Sequence, residues 1–82
     1  MDTPRFMTAL HDLFELEAGS ISASAVLQNI DGWNSLTFIG LIAMIDDEFG
    51  ARLPPTTILK CRTVADLIDV VAAETSPIKM AA

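Results

Sequence analysis

The chain has 82 residues, 51% of them hydrophobic, with eleven acidic side chains against five basic ones and a formal charge of −6. This length fits one small domain. The single Cys61 excludes an internal disulfide and fits a reducing cytoplasm, and the carboxylate excess opposes nucleic-acid binding while favouring encounter with basic protein patches.

The N-terminus, Met1-Asp2-Thr3-Pro4, has neither the basic nor the apolar region of a signal peptide, and no apolar run reaches membrane-spanning length. A soluble, cytoplasmic protein is expected. Phe6, Leu10, Leu13 and Phe14 then recur at i, i+4, i+7 and i+8, the stripe of an amphipathic helix. Thr3 is its expected N-cap with Pro4 at the first helical position, and Gly19-Ser20 is expected at or just past its end. Residues 19–34 mix Ser, Gly, Asn and Asp with Ile21, Val26, Leu27 and Ile30, the pattern of a long connection whose apolar members clip onto a bundle.

Asn34 is placed to cap a second helix over 35–49, with Gly50 as its stop. Trp33, before the cap, and Phe38, the fourth helical residue, can close a hydrophobic staple. Leu41, Ile42, Ile45 and Phe49 form the expected buried stripe, with Met44 and Phe38 beside it. Pro54 and Pro55 extend the chain, and Pro55 can open a short helix through Cys61. Thr63 resembles the N-cap of a last helix, with Val64, Leu67, Ile68 and Val71 on one face and an end near Glu74. Ser76-Pro77 breaks it. The fold class expected is all-α: three longer helices and a short one around a single core. Residues 1–75 are expected to form the domain and 76–82 a flexible tail.

Little in this chain points to catalysis. His11 is the lone histidine, far in sequence from Ser35 and Cys61, and reads as a solvated surface residue. No G-x-S-x-G elbow surrounds Ser35. Asp46, Asp47 and Glu48 fan around a helix axis instead of converging on a metal, so they read as a solvated acidic end. Ser35 itself has two readings from its neighbours alone: a residue that merely starts a helix, or a hydroxyl able to carry a phosphate ester where the helix end attracts anions.

The run Gly32-Trp33-Asn34-Ser35-Leu36, the stretch Ile42 to Gly50 with its Asp46-Asp47-Glu48-Phe49-Gly50 end, and Arg62-Thr63-Val64-Ala65-Asp66-Leu67 together resemble the acyl carrier proteins, or thiolation domains, of fatty acid, polyketide and nonribosomal peptide pathways. The likeness spans Val26 to Val71, and the first helix agrees only in pattern. In that family an Asp-Ser-Leu motif opens the second helix and its serine carries a 4′-phosphopantetheine arm. The resemblance therefore implies a small four-helix bundle over residues 1–75, an acyl-carrier-like domain that catalyses nothing itself, with the arm on Ser35. It implies acyl or aminoacyl groups held as thioesters, and as partners a phosphopantetheinyl transferase with loading and downstream biosynthetic enzymes. A monomer is expected.

Resemblance also places Leu36, Ile39 and Cys61 in a small apolar docking patch near the arm, whereas their residue types alone would fit ordinary core. Asp46, Asp47 and Glu48 would add an electrostatic face. Two departures stand out. Asn34 replaces the family's usual aspartate, which takes part in recognition by the transferase. Thr37, Gly40 and Pro55-Thr56-Thr57-Ile58 replace the acidic stretches of bacterial fatty-acid carriers, which favours a specialised pathway. Phe38 and Met44 are bulky enough to fill a chain-holding cavity. The rival reading is an unmodified carrier-like helical interaction module, and a serine hydrolase ranks last.

Overall fold

Asp2 caps the first helix in place of the expected Thr3. In the computed structural model, which describes residues 2–75, the extended Asp2 accepts the Arg5 N–H on Oδ1 at 3.1 Å and opens α1, Thr3–Phe14. Either residue type can cap, but a carboxylate also meets the positive end of the helix dipole. Pro4 sits in the first turn, where no intrahelical partner is lost.

α1 stops at Phe14, before the expected Gly19-Ser20. Glu15 takes the left-handed conformation (φ 56°), its N–H reaches Asp12 O, and the Leu16 N–H reaches His11 O. This early stop lets the chain double back and bury Ile21 against α1. His11 is the fulcrum, and the expectation of a solvated histidine is corrected. It is buried, with Nδ1 2.6 Å from Met7 O and Nε2 accepting the Ile21 N–H at 2.9 Å. A neutral ring with its proton on Nδ1 satisfies both bonds.

The long connection is stitched down along its length. It contains a short 3-10 turn, Leu27–Asn29, and an isolated antiparallel bridge between Val26 and Thr63. Leu27 N donates to Arg62 O at 2.9 Å, Val64 N to Ala25 O at 3.0 Å, and Ala65 N to Ala23 O at 2.8 Å. Ile21, Leu27 and Ile30 enter the core as expected, whereas Val26 is half-buried.

α2 spans Ser35–Phe49 and ends at Gly50, as its sequence predicts. It packs against both α1 and the last helix, burying Leu41, Met44 and Ile45, with Phe38, Ile42 and Phe49 half-buried. A Cβ on Gly40 would stand 2.8 Å from Leu13 Cδ1, so the absence of a side chain there permits the close approach of α1. α3, Pro55–Lys60, stops one residue short of the expected Cys61. α4, Val64–Thr75, opens on a reciprocal cap: Thr63 Oγ1 accepts the Asp66 N–H, while Asp66 Oδ2 accepts the Arg62 and Thr63 N–H groups. The expected tail, 76–82, lies outside the described residues.

Phe6, Leu10, Leu27, Leu41, Ile45, Ile58, Val64, Leu67 and Val71 are fully enclosed. Each contributes about 1.5–3 kcal/mol of burial free energy. Every helix and the connection supplies at least one, so a single core ties the described elements together. No helix among the described residues is long and apolar enough to cross a membrane.

Candidate functional site

The turn before α2 is built by backbone needs before any chemistry. Gly32 has φ 95°, a conformation other residues rarely adopt, and a Cβ there would touch Phe14 Cδ1 at 3.5 Å. Trp33 follows, stacked on Phe14 (centroids 6.2 Å apart) and meeting Phe38 edge-on at 5.9 Å, which is the expected staple. These contacts fix the angle at which the chain enters α2.

Asn34 Oδ1 accepts the Leu36 and Thr37 N–H groups at 2.9 and 3.0 Å. In return Thr37 Oγ1 accepts the Asn34 N–H at 2.9 Å, and it lies 2.8 Å from Gly32 O, to which it donates. Threonine thus fills the position where a capping box usually has Glu or Gln. Thr37 is a structural residue of the site that sequence reasoning passed over, having weighed it only as a missing charge.

Ser35 is the first residue of α2 and is exposed. Its hydroxyl makes no hydrogen bond to any described residue, and residues 32–45 contain no carboxylate. A phosphate ester on this oxygen fits: it would meet the positive end of α2, and none of the ten residues that follow it is acidic. The amides of Leu36 and Thr37 are already taken by Asn34, so attraction comes from the helix dipole, and these two N–H groups do not form the open cradle expected of a bare helix end.

Around Ser35 the expected docking residues separate into three groups. Leu36 and Ile39 are 78% and 62% exposed, large apolar side chains left on the surface within one turn of the serine. Leu59 of α3, 54% exposed, belongs with them and lines a groove with Ser35, although nothing in its sequence neighbourhood singles it out. Cys61 does not belong. It is buried in the core with Sγ donating to Thr57 O at 3.4 Å, so its expected place in a docking surface is corrected. Burial, and then the nearby Asp66 charge, push its thiol pKa up and keep it protonated.

Asp46, Asp47 and Glu48 are exposed at the far end of α2, about 16 Å or more along the helix from Ser35. Asp46 lies 3.7 Å from Arg52 Nε, and Glu48 lies 3.9 Å from Arg5 Nη2. Both pairs are solvent-exposed and worth little to stability. The acidic run is a separate face, and the structure does not bring it to the serine. Nor does it bring His11 there, whose ring nitrogens are both occupied by backbone groups.

Residues 5–71 match the family model described as the phosphopantetheine attachment site. No curated protein matches the chain. Among solved structures, the holo acyl carrier protein of Geobacter metallireducens, determined in solution by NMR, superposes with a TM-score of 0.78. The match covers 94% of this chain and 88% of that one at 18% identity. At that identity the likeness is one of fold.

Proposed function

Because this chain belongs to the family of phosphopantetheine attachment domains, whose members are carriers and not catalysts, we propose that Ser35 is its attachment point. The cofactor is a covalently attached 4′-phosphopantetheine, and the thiol it supplies when bound holds an acyl or aminoacyl group as a thioester. The observation that carries the assignment is the exposed Ser35 hydroxyl, which makes no hydrogen bond to any described residue, on the first residue of α2.

Loading is a phosphoryl substitution. Ser35 Oγ forms a bond to the phosphorus that carries pantetheine in coenzyme A, the pyrophosphate bond breaks, and adenosine 3′,5′-bisphosphate leaves with the electron pair. The serine proton passes to a base on the transferase, since no described residue of this chain hydrogen-bonds the Ser35 hydroxyl. The chain's own contribution is presentation: the Asn34–Thr37 box and the Trp33–Phe38 staple hold the serine at a fixed angle. Leu36, Ile39 and Leu59 give partner enzymes an apolar landing surface beside it.

A specialised biosynthetic pathway is favoured over housekeeping fatty acid synthesis. No carboxylate falls within residues 32–45 or 50–65, Leu36, Ile39 and Leu59 are exposed apolar side chains, and the acidic run lies at the other end of α2. Partners that select this face do so by shape and apolar contact more than by charge. The rival, an unmodified interaction module, rests on Asn34, but that side chain performs the capping task an aspartate would perform equally well.

Incubation of the protein with coenzyme A, Mg²⁺ and a broad-specificity phosphopantetheinyl transferase, followed by intact mass measurement, tests the assignment. A mass gain of one arm is expected. No gain with several transferases supports the unmodified module instead.

A further inference from the structure

The buried imidazole of α1 takes no part in the chemistry proposed at Ser35, and His11 is the only histidine of the chain. Its two nitrogens serve different partners. Nδ1, 2.6 Å from Met7 O, donates within its own helix, whereas Nε2 accepts the Ile21 N–H at 2.9 Å, from ten residues further along. From Ala18 to Ser22 this is the one hydrogen bond to another element among the described residues. The next comes at Ala23 O, which accepts the Ala65 N–H at 2.8 Å.

We propose that His11 is a proton-operated latch on the first part of the connection, closed when the ring is neutral and opened when it is protonated. An imidazolium carries an N–H on both nitrogens and has no acceptor left. The bond to Met7 O suits either state, but a proton on Nε2 would face the Ile21 N–H donor to donor, and no ring flip relieves that. No carboxylate competes for the ring, because both nitrogens are taken by backbone groups. Asp12 on α1, Glu15 and Glu17 at the chain reversal, Asp31 beside Ile21, and Asp66, Asp69 and Glu74 on α4 are all exposed, as is Arg62. The acids of α2 lie toward the start of α1, where Glu48 meets Arg5. Opening is local. From Ala23 onward the connection stays bonded to residues 62–65, and Trp33 stays stacked on Phe14, so the turn that presents Ser35 does not depend on the latch. What opening bares is Ile21, an apolar side chain that the closed latch buries. Once a solvated ring is charged, the open form binds one proton more than the closed form, so opening is favoured as pH falls. An imidazole in water takes up this proton near about pH 6.5. Asp66, whose carboxyl is held below the usual carboxylate range, titrates well below that window.

Hydrogen exchange of the Ile21 amide in unmodified protein, corrected for its intrinsic rate, tests the latch. Protection of Ile21 should fall about tenfold between about pH 7.5 and about pH 5.5, while the Leu27, Val64 and Ala65 amides keep theirs. H11Q, verified as folded by circular dichroism, offers a side-chain carbonyl in place of Nε2 and nothing that titrates, so its Ile21 protection should change by less than about twofold over the same range. Nitrogen-15 shifts of the single histidine ring read the parent protein without any variant: a proton on Nδ1 and a bare Nε2 are expected at neutral pH, with ring protonation and loss of Ile21 protection following one curve. Unchanged Ile21 protection overturns the latch, and so does a fall shared equally by Leu27 and Val64, which is global unfolding. A fall that persists in folded H11Q also overturns it, as does a ring protonated on Nε2 at neutral pH. If H11Q does not fold, the parent decides: ring shifts and Ile21 exchange that follow different curves overturn the proposal.

Discussion

Asn34 and Thr37 hold each other: the Asn34 N–H donates to Thr37 Oγ1 at 2.9 Å, and the Thr37 N–H donates to Asn34 Oδ1 at 3.0 Å. Ser35 lies between them in sequence, so the pair sets the position of the proposed attachment residue. Replacing Thr37 with valine keeps the shape and removes the hydroxyl, leaving the Asn34 N–H without its acceptor and Gly32 O without its donor. The expected loss is about 0.5–2 kcal/mol, read by thermal unfolding as a fall in Tm of about 4–8 °C per kcal/mol. A Tm unchanged in T37V would show that water replaces the box at no cost.

Asn34→Asp restores the carboxylate that the carrier family usually places before the serine. The cap geometry can be kept, because a carboxylate oxygen accepts the same two N–H groups. A negative charge at the start of α2 adds about 0.3–1 kcal/mol of stability. Initial rates of modification by one transferase should rise in N34D. Equal rates would show that the transferase does not read this charge.

Acid sensitivity should enter through the start of α4. The Thr63 and then the Arg62 backbone N–H groups hold the Asp66 carboxyl below the usual carboxylate range. A group whose pKa is lowered on folding stabilises the protein above its unfolded-state pKa, and that contribution disappears as pH falls through the folded-state value. Melts recorded from about pH 7 down to about pH 2 should show this loss in the parent protein, and D66A should be less stable at neutral pH with a flatter acid limb. Identical pH profiles for the two proteins would rule Asp66 out as a source of acid sensitivity.

The buried, protonated Cys61 should react slowly with a disulfide reagent in the native apo protein and rapidly once the protein is unfolded. Holo protein should then show one fast thiol, belonging to the arm. A fast thiol in native apo protein would place Cys61 at the surface, contrary to its position in the core.

Much of this architecture is written locally. Asn34, Gly50 and Thr63 mark helix ends through caps that involve only residues a few positions away, which is why α2 and the start of α4 fall where the sequence places them. The serine was legible for the same reason, since its exposure follows from its place in the first turn. What was not legible depends on contacts distant in sequence. His11 looks like a surface residue until the chain doubles back and presents the Ile21 N–H to it. The end of α1 depends on that same reversal, because Glu15 takes a left-handed conformation that no local signal demands. Cys61 has the residue type of either a docking patch or a core, and only the packing of α3 decides. Leu59 reaches the groove of Ser35 through the placement of α3 against α2, a relationship that no motif encodes.

The most direct measurement of the carrier assignment is peptide-level mass spectrometry of protein treated with coenzyme A and a phosphopantetheinyl transferase, run beside S35A. The expected result is the arm on Ser35 in the parent protein and no mass gain in the variant. An arm found on another residue, or a gain that persists in S35A, would contradict the site.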